Sequence, residues 1–106
     1  MATEKVVRDG KVAVLVSPGF GAGWSTWADN AEAAVFDPEV VEWVENGKSR
    51  DEFLEKEVSW SERLGYLGGA EDLEVEWVPV GSRFYIEEYD GSETLHVVIP
   101  DWGYVA

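Results

Sequence analysis

The hydrophobic pattern is densest in residues 11–17, where five apolar residues follow one another from Val12 to Val16. Because successive side chains of a strand point to opposite faces, a strand here would be apolar on both faces. Such a strand is typical of the centre of a sheet that is covered on both sides. Pro18 ends it, since proline cannot donate a hydrogen bond to a neighbouring strand. We therefore predict a central strand followed by a long loop over residues 19–30.

The next apolar positions recur at helical spacing and predict two short helices. Asp37 is a favourable N-cap, and the proline after it is preferred in the first helical turn. The Asn46-Gly47 pair is a typical helix end. Ser49 and Glu52 match a capping box that begins the second helix. The sequence leaves the end of this helix open, since apolar residues extend its stripe toward Gly65.

From residue 73 onward apolar and polar residues alternate, as in strands with one solvated face. This alternation predicts an antiparallel meander with strands at residues 73–77, 83–87, 94–99 and 102–105. The reversal at residues 79–82 is expected to join the first two strands into a hairpin. The order of strand, two helices and antiparallel meander predicts an α+β fold with the sheet packed against the helices.

The length of 106 residues suits one domain, residues 1–106, with a single modest core. A hydrophobic content of 45%, with six tryptophans, excludes a disordered acidic tail. The lack of cysteine excludes disulfides and thiolate ligands. Because no segment approaches the ~20 apolar residues of a membrane span and the first residues contain no apolar signal-peptide core, we expect a cytoplasmic location.

Charge is the strongest global feature, because 22 acidic residues stand against 8 Lys and Arg and give a formal net charge of −14. An acidic surface repels phosphates, so direct nucleic-acid binding is not expected. The same field attracts basic partners and would compete with nucleic acid for a positively charged groove. Solubility alone is the competing explanation of this charge.

Acidic residues are concentrated on the predicted meander. Glu74 and Glu76 are two residues apart and would share one face of their strand, beside Glu87 if the hairpin is regular. Solvent exposure on this face disfavours general acid–base catalysis, which requires a desolvated carboxylate with a shifted pKa. The candidate partner-binding acidic surface comprises Glu74, Glu76, Glu87, Glu88, Asp90 and Glu93. The competing interpretation is an ordinary solvated face.

The loop after the central strand has glycines at alternate positions and two tryptophans. It does not match the known phosphate-loop patterns, because Trp24 stands where a dinucleotide fingerprint needs glycine and the Walker ending is absent. Trp24 and Trp27 are suited to stacking on a planar ligand, and inward packing of both rings is the alternative. The candidate ligand-binding loop comprises Gly19, Phe20, Gly21, Gly23, Trp24, Ser25, Thr26 and Trp27.

Catalytic side chains are sparse. His96 is the only histidine, and no serine lies in a recognisable nucleophile motif. Arg50, Arg63 and Arg83 are candidate anion contacts, with pairing to acidic neighbours as the alternative role. We therefore expect a non-enzymatic protein with no catalytic residues, metal or cofactor.

Three blocks of the sequence resemble a known family. Residues 16–27 (VSPGFGAGWSTW), 36–47 (FDPEVVEWVENG) and 66–93 (YLGGAEDLEVEWVPVGSRFYIEEYDGSE) are together similar to a family of small acidic proteins from tailed-phage and prophage genomes. The resemblance covers about half of the chain. It implies a phage origin and the cytoplasm of a bacterial host, and it transfers no catalytic residue.

A small acidic phage protein without catalytic residues is expected to act as an inhibitor. In the leading hypothesis its acidic surface mimics nucleic acid and occupies a basic groove on a host defence or nucleic-acid-binding complex, as some anti-CRISPR proteins do. In the alternative, the glycine- and tryptophan-rich loop sequesters a nucleotide signal. The short edge strands of the meander also leave a homodimer open.

Overall fold

The fold is that of a computed structural model, which describes residues 5–19, 23–28, 31–65, 67–89, 92–98 and 104–106, with Trp27, Val98 and Tyr104 described by their backbone alone. These residues form the strands β1 (Val7–Arg8), β2 (Lys11–Val16), β3 (Glu74–Pro79), β4 (Arg83–Tyr89), β5 (Ser92–Val98) and β6 (Tyr104–Val105). The helices are α1 (Ala31–Phe36), α2 (Pro38–Glu45) and α3 (Arg50–Leu64), and two short 3₁₀ turns lie at Ser25–Trp27 and Ala70–Asp72. The predicted α+β class is confirmed.

The strands form two antiparallel three-stranded sheets, with the orders β1-β2-β3 and β5-β4-β6. β2 is central in the first sheet, as its apolar sequence predicted. β3 pairs with β2 along its whole length, from Pro79 opposite Lys11 to Glu74 opposite Val16. The predicted hairpin between β3 and β4 is therefore wrong, since β4 belongs to the second sheet.

The reversal between β3 and β4 is present but leads the chain from one sheet to the other. Its backbone N–H groups are taken by distant segments: Val80 N donates to Gly10 O at 2.9 Å, and Gly81 N donates to Ala106 O at 2.7 Å. These bonds hold the reversal between the β1–β2 turn and the end of β6. β4 consequently lies in the second sheet, where it pairs with β5 and β6.

β2 is buried on both of its faces, and each face contacts a different core. The helical core lies on the Ala13 and Leu15 face and includes Trp24, Ala34, Val40, Val41, Trp43, Trp60, Leu64, Ala70 and Leu73. The sheet core lies on the Val12, Val14 and Val16 face and includes Val35, Phe36, Val78, Phe84 and Ala106. Burial of each large apolar side chain stabilises the fold by about 1.5–3 kcal/mol, so β2 is the strand on which both cores depend.

The capping residues of α2 and α3 act as predicted. The Asp37 carboxylate accepts a hydrogen bond from Val40 N at 3.1 Å, and Ser49 Oγ accepts one from Glu52 N at 3.3 Å. Gly65 ends α3 with a φ of 85°, a left-handed conformation that favours glycine. None of the helices in the described part of the chain is long and apolar enough to cross a membrane.

α1 lies just after the predicted loop and was not predicted from the sequence. It has only six residues, of which Ala34 packs in the helical core and Val35 and Phe36 pack in the sheet core. Packing against both cores stabilises a helix that would be too short to form alone in water.

Candidate functional site

The buried carboxylate of Glu93 joins the start of β5 to the loop that follows β2. Glu93 is 1% exposed, and its Oε1 accepts a hydrogen bond from Ser17 N at 3.0 Å. Its Oε2 accepts hydrogen bonds from Trp24 N at 2.7 Å, from Thr26 N at 3.1 Å and from Thr26 Oγ1 at 2.6 Å. These four donors replace the water that the carboxylate loses on burial. We call this arrangement the Glu93 clamp.

Glu93 therefore does not belong to the exposed acidic surface that was predicted. The prediction rested on its position in an acidic turn, whereas Ser17, one of its hydrogen-bond donors, lies 76 residues away in the sequence. A local pattern contains no information about such distant donors. In the structure this carboxylate holds a loop in place and does not face a partner.

Trp24 lies inside the protein, although it was predicted to stack on a ligand at the surface of the loop. Its indole is fully buried in the helical core, and Nε1 donates a hydrogen bond to Ala34 O at 2.8 Å. Its neighbours Gly23 and Ser25 are buried as well. The inward-packing alternative is therefore correct for Trp24, and stacking of this ring on an external ligand is excluded by its burial. Phe20, Gly21 and the side chain of Trp27 lie outside the described residues.

Gly19 has a packing reason to be glycine. A Cβ atom built at this position would overlap the side chain of Asp72, including its carboxylate. Next to it, Ser17 Oγ donates a hydrogen bond to Gly69 O at 2.9 Å, and Ser92 Oγ donates one to Pro18 O at 2.7 Å. The beginning of the loop is thus held from both sides by protein atoms.

Glu74 and Glu76 remain exposed, on the edge strand β3. Each lies directly opposite a buried valine of β2, Val16 and Val14 respectively, so both carboxylates border the sheet core. Partial burial and, secondarily, the neighbouring Glu74 carboxylate raise the pKa of Glu76 above its ordinary value. The pair is therefore a place where a cation from another molecule would relieve repulsion between like charges.

The other members of the predicted acidic surface do not join this pair. Glu87 and Glu88 lie on β4 in the second sheet, and strand alternation places them on opposite faces of it. On the outer face, His96 stacks on Tyr85 at 4.9 Å between ring centroids, and its Nε2 lies 3.4 Å from Glu87 Oε1. Asp90 lies outside the described residues. The predicted surface is thus divided between two sheets.

The three candidate anion-binding arginines are also separated. Arg63 pairs with Asp37 at 2.8 Å and with Glu39 at 3.1 Å. This is the alternative role, pairing with acidic neighbours, in place of binding an anion. Burial alone would lower the pKa of Arg63, but Asp37 and Glu39 together raise it above its ordinary value. The guanidinium therefore stays charged. Arg50 is the exposed first residue of α3, and Arg83 begins β4. They do not form one anion site.

A cleft that was not predicted opens between α3 and residues 67–72. Its volume is about 630 Å³, and its apolar surface comes from Trp43, Phe53, Leu54 and Leu67. Trp43 and Phe53 lie 5.4 Å apart between ring centroids and form part of an aromatic cluster with Trp60. Pockets of this size are typical of binding sites.

Lys48 stabilises the side of the cleft that is formed by residues 67–72. Its Nζ donates hydrogen bonds to Glu71 O at 2.8 Å and to Leu73 O at 3.0 Å. On the other side, next to the start of α3, Trp43 Nε1 donates a hydrogen bond to Ser49 O at 2.8 Å. The cleft is therefore bounded by hydrogen-bonded elements on both sides, with Arg50, Glu57, Glu71 and Asp72 as the remaining charged residues around it.

One sequence signal could have indicated this cleft. The inner stripe of α3 is formed by Phe53, Trp60 and Leu64, whereas Leu54 and Val58 lie on a different face of the helix. Two large apolar residues outside the inner stripe of a charged helix indicate a second contact surface.

No family model, curated protein or solved structure matches the chain. Within the described ranges, no group of three or more His, Asp or Glu residues is arranged to hold a metal ion.

Proposed function

We propose that this protein is a non-enzymatic inhibitor whose exposed carboxylates bind the basic, nucleic-acid-binding surface of another protein. The observation that supports the proposal is an imbalance of partners: most of the few cations in the described residues are engaged within the protein, while many exposed carboxylates have no cation. Such a surface attracts a basic partner over a distance and competes with nucleic acid for it.

The cations are occupied in several ways. Arg8 pairs with Glu45 at 2.7 Å, and Lys56 pairs with Glu39 at 3.4 Å. Lys5 Nζ donates a hydrogen bond to Val105 O at 2.7 Å. Together with Lys48 and Arg63, five of the eight Lys and Arg residues are thus directed to groups of the same chain.

The exposed carboxylates lie on rigid elements. Those of α2, α3 and β3 that form no ion pair within the described residues are Glu42, Asp51, Glu55, Glu57, Glu62, Glu74 and Glu76. Fixed rows of negative charge on helices and strands resemble the backbone phosphates that basic grooves recognise. On β3, burial and, secondarily, the charge of Glu74 raise the pKa of Glu76, so these two carboxylates are close enough to interact.

The resemblance to tailed-phage proteins extends the proposal to the setting. It suggests a partner in the cytoplasm of an infected bacterium, namely a host defence complex or another nucleic-acid-binding complex. This extension rests on the resemblance alone. Sequestration of a nucleotide by the loop is not proposed further, because the burial of Trp24 removes its intended stacking surface.

The test is capture of a partner followed by displacement of nucleic acid. The immobilised protein is exposed to nuclease-treated bacterial lysate, and a captured protein is then purified and bound to fluorescent duplex DNA. We expect the acidic protein to displace the DNA, with an affinity that falls as salt rises.

Two variants that remove equal charge locate the contact. Glu74→Gln with Glu76→Gln changes β3, and Asp51→Asn with Glu55→Gln changes α3. We expect at least one pair to weaken binding roughly tenfold and to flatten its salt dependence. The proposal is wrong if neither pair changes the affinity, or if the captured protein retains its DNA in the complex.

A further inference from the structure

α3 presents an exposed apolar ridge, formed by Leu54 and Val58. Their side chains are 56% and 68% exposed, whereas Trp60 and Leu64 of the same helix are 1% and 0% exposed. Leu54 and Val58 are four residues apart and therefore adjacent on the helix surface. Single exposed apolar residues are common, but a pair beside an apolar cleft is typical of a contact surface.

The ridge is continuous with the cleft. Leu54 belongs to both, and next to it the aromatic ring of Phe53 and the side chain of Leu67 add apolar surface. The cleft of about 630 Å³ is large enough for one or two large apolar side chains. A partner that lies along α3 can therefore place one apolar group in the cleft and a second on Val58.

Acidic residues surround this apolar surface and determine which partner it fits. Asp51, Glu55 and Glu62 are spaced at four and seven residues, so they follow the same side of α3 as Leu54 and Val58. Around the cleft, Glu57, Glu71 and Asp72 add further carboxylates. The charge complementary to this arrangement is positive.

The same charges disfavour two other occupants. A second copy of the chain has the same net charge of −14 and would be repelled. A nucleotide would bring its phosphates toward Glu57, Glu71 and Asp72 at the cleft. These carboxylates outnumber the two cations there, Lys48 and Arg50, and Lys48 already donates to two carbonyl oxygens.

We propose that the ridge and the cleft together bind a basic amphipathic segment of a partner protein. Its apolar side chains occupy the cleft and cover Val58, and its Lys or Arg residues pair with Asp51, Glu55 and Glu57. This inference rests on the proposed function and specifies where the basic partner is anchored and which chemistry it shows. The apolar contact supplies affinity and position, while the carboxylates supply attraction and selectivity.

The test uses two synthetic peptides of equal charge. The first is a helical peptide of Lys and Leu with its leucines on one face, and in the second every Leu is replaced by Ser. Binding to the full chain is measured by calorimetry at low and at moderate salt. We expect the Leu peptide to bind at least roughly tenfold more tightly, because it alone buries apolar surface.

Matched variants assign this preference to the ridge. Leu54→Gln with Val58→Gln should remove the preference for the Leu peptide, while Val7→Gln with Val80→Gln, which changes two valines that are each 55% exposed elsewhere, should preserve it. Circular dichroism checks that both variants are folded. The inference is overturned if both double variants behave alike, or if the Leu peptide has no advantage.

The remaining outcomes separate the inference from the proposed function. If both peptides bind equally and the carboxylate variants weaken both, the acidic surface binds basic partners but the apolar anchor is wrong. If neither peptide binds, that result also contradicts the proposed function. Concentration-dependent dimerisation that is lost in the ridge variant, or stoichiometric binding of mono- or dinucleotides at the cleft, would assign the surface to a different occupant and overturn the inference.

Discussion

Two groups of carboxylates in this protein have opposite surroundings. Glu93 at the start of β5 is 1% exposed and accepts four hydrogen bonds, whereas Glu74 and Glu76 on the edge strand β3 are exposed. Glu93 is the second residue of β5, and Glu74 and Glu76 are the first and third residues of β3. What differs is the supply of donors. The loop after β2 directs its N–H groups toward Glu93, whereas Glu74 and Glu76, which we call the β3 pair, lie opposite two valines of β2, whose side chains donate no hydrogen bonds.

The comparison shows how the same side chain serves two purposes. A buried carboxylate with a full set of donors fixes a loop, and removing it leaves several buried donors without partners. An exposed carboxylate beside another carboxylate contributes little to stability and is available to a cation from another molecule. Stability measurements should therefore separate the two groups clearly.

The largest effect is expected for Glu93→Ala. This change leaves the backbone N–H groups of Ser17, Trp24 and Thr26 without their acceptor, which should lower the free energy of unfolding by about 3 kcal/mol or more. Urea denaturation followed by tryptophan fluorescence measures the change. Faster hydrogen exchange at these three amides would identify the loop as the part that is released.

Glu74→Ala is the matched control for Glu93→Ala. Since Glu74 is exposed and makes no ion pair in the described part of the chain, its loss should change stability by no more than about 0.5 kcal/mol. Equal effects of the two substitutions would contradict the distinction between the Glu93 clamp and the β3 pair.

An intermediate effect is expected for Thr26→Val, which keeps the shape of the side chain and removes its hydroxyl. The hydroxyl donates to Glu93 Oε2 at 2.6 Å, so its loss should cost about 1.5 kcal/mol, a typical value for a hydrogen bond to a charged group. In the Glu93→Ala background the same change should cost much less, because the acceptor is already gone. A double-mutant cycle of thermal unfolding measures this coupling. Additive effects of the two substitutions would show that the hydroxyl does not contribute to the clamp.

The sequence predicted features that depend on neighbouring residues. The starts of α2 and α3 followed from Asp37 and Ser49, because a capping residue acts on N–H groups within a few positions of itself, whereas the sequence left the end of α3 open. The central position of β2 followed from its apolar residues. The partner of β3 could not be predicted, since alternation shows that one face is buried but not which strand lies alongside.

The candidate site was less predictable from the sequence, because its contacts join segments that are far apart in the chain. The burial of Glu93 depends on donors that lie 67 to 76 residues earlier in the chain. The position of Trp24 depends on α1, a helix whose stability comes from packing against both cores. The cleft depends on Lys48 bringing residues 71 and 73 to the end of α2. Each of these contacts is formed between segments that are distant in sequence.

A small effect of opposite sign, a gain in stability, is expected for Glu76→Gln. Partial burial and the charge of Glu74 raise the pKa of Glu76 in the folded protein, so the ionised form is less favourable there than in the unfolded chain. The wild-type protein therefore gains stability from this residue as the pH falls through that pKa and loses it as the pH rises. Because Glu76 is exposed and solvent screens its charge, the glutamine variant should be more stable at neutral pH by no more than about 0.5 kcal/mol, and this advantage should disappear in acid.

Glu74→Gln tests the cause of that shift. It removes the neighbouring charge and leaves the burial of Glu76 in place, so the pKa of Glu76, measured by NMR titration of its side-chain carboxyl, should fall part of the way toward its ordinary value. A basic partner at β3 should lower it further, because a cation favours the ionised form, and binding would then release protons. If Glu76→Gln instead lowers stability at neutral pH, the Glu76 carboxylate has a stabilising partner within the protein. That result would contradict the distinction between the β3 pair and the Glu93 clamp.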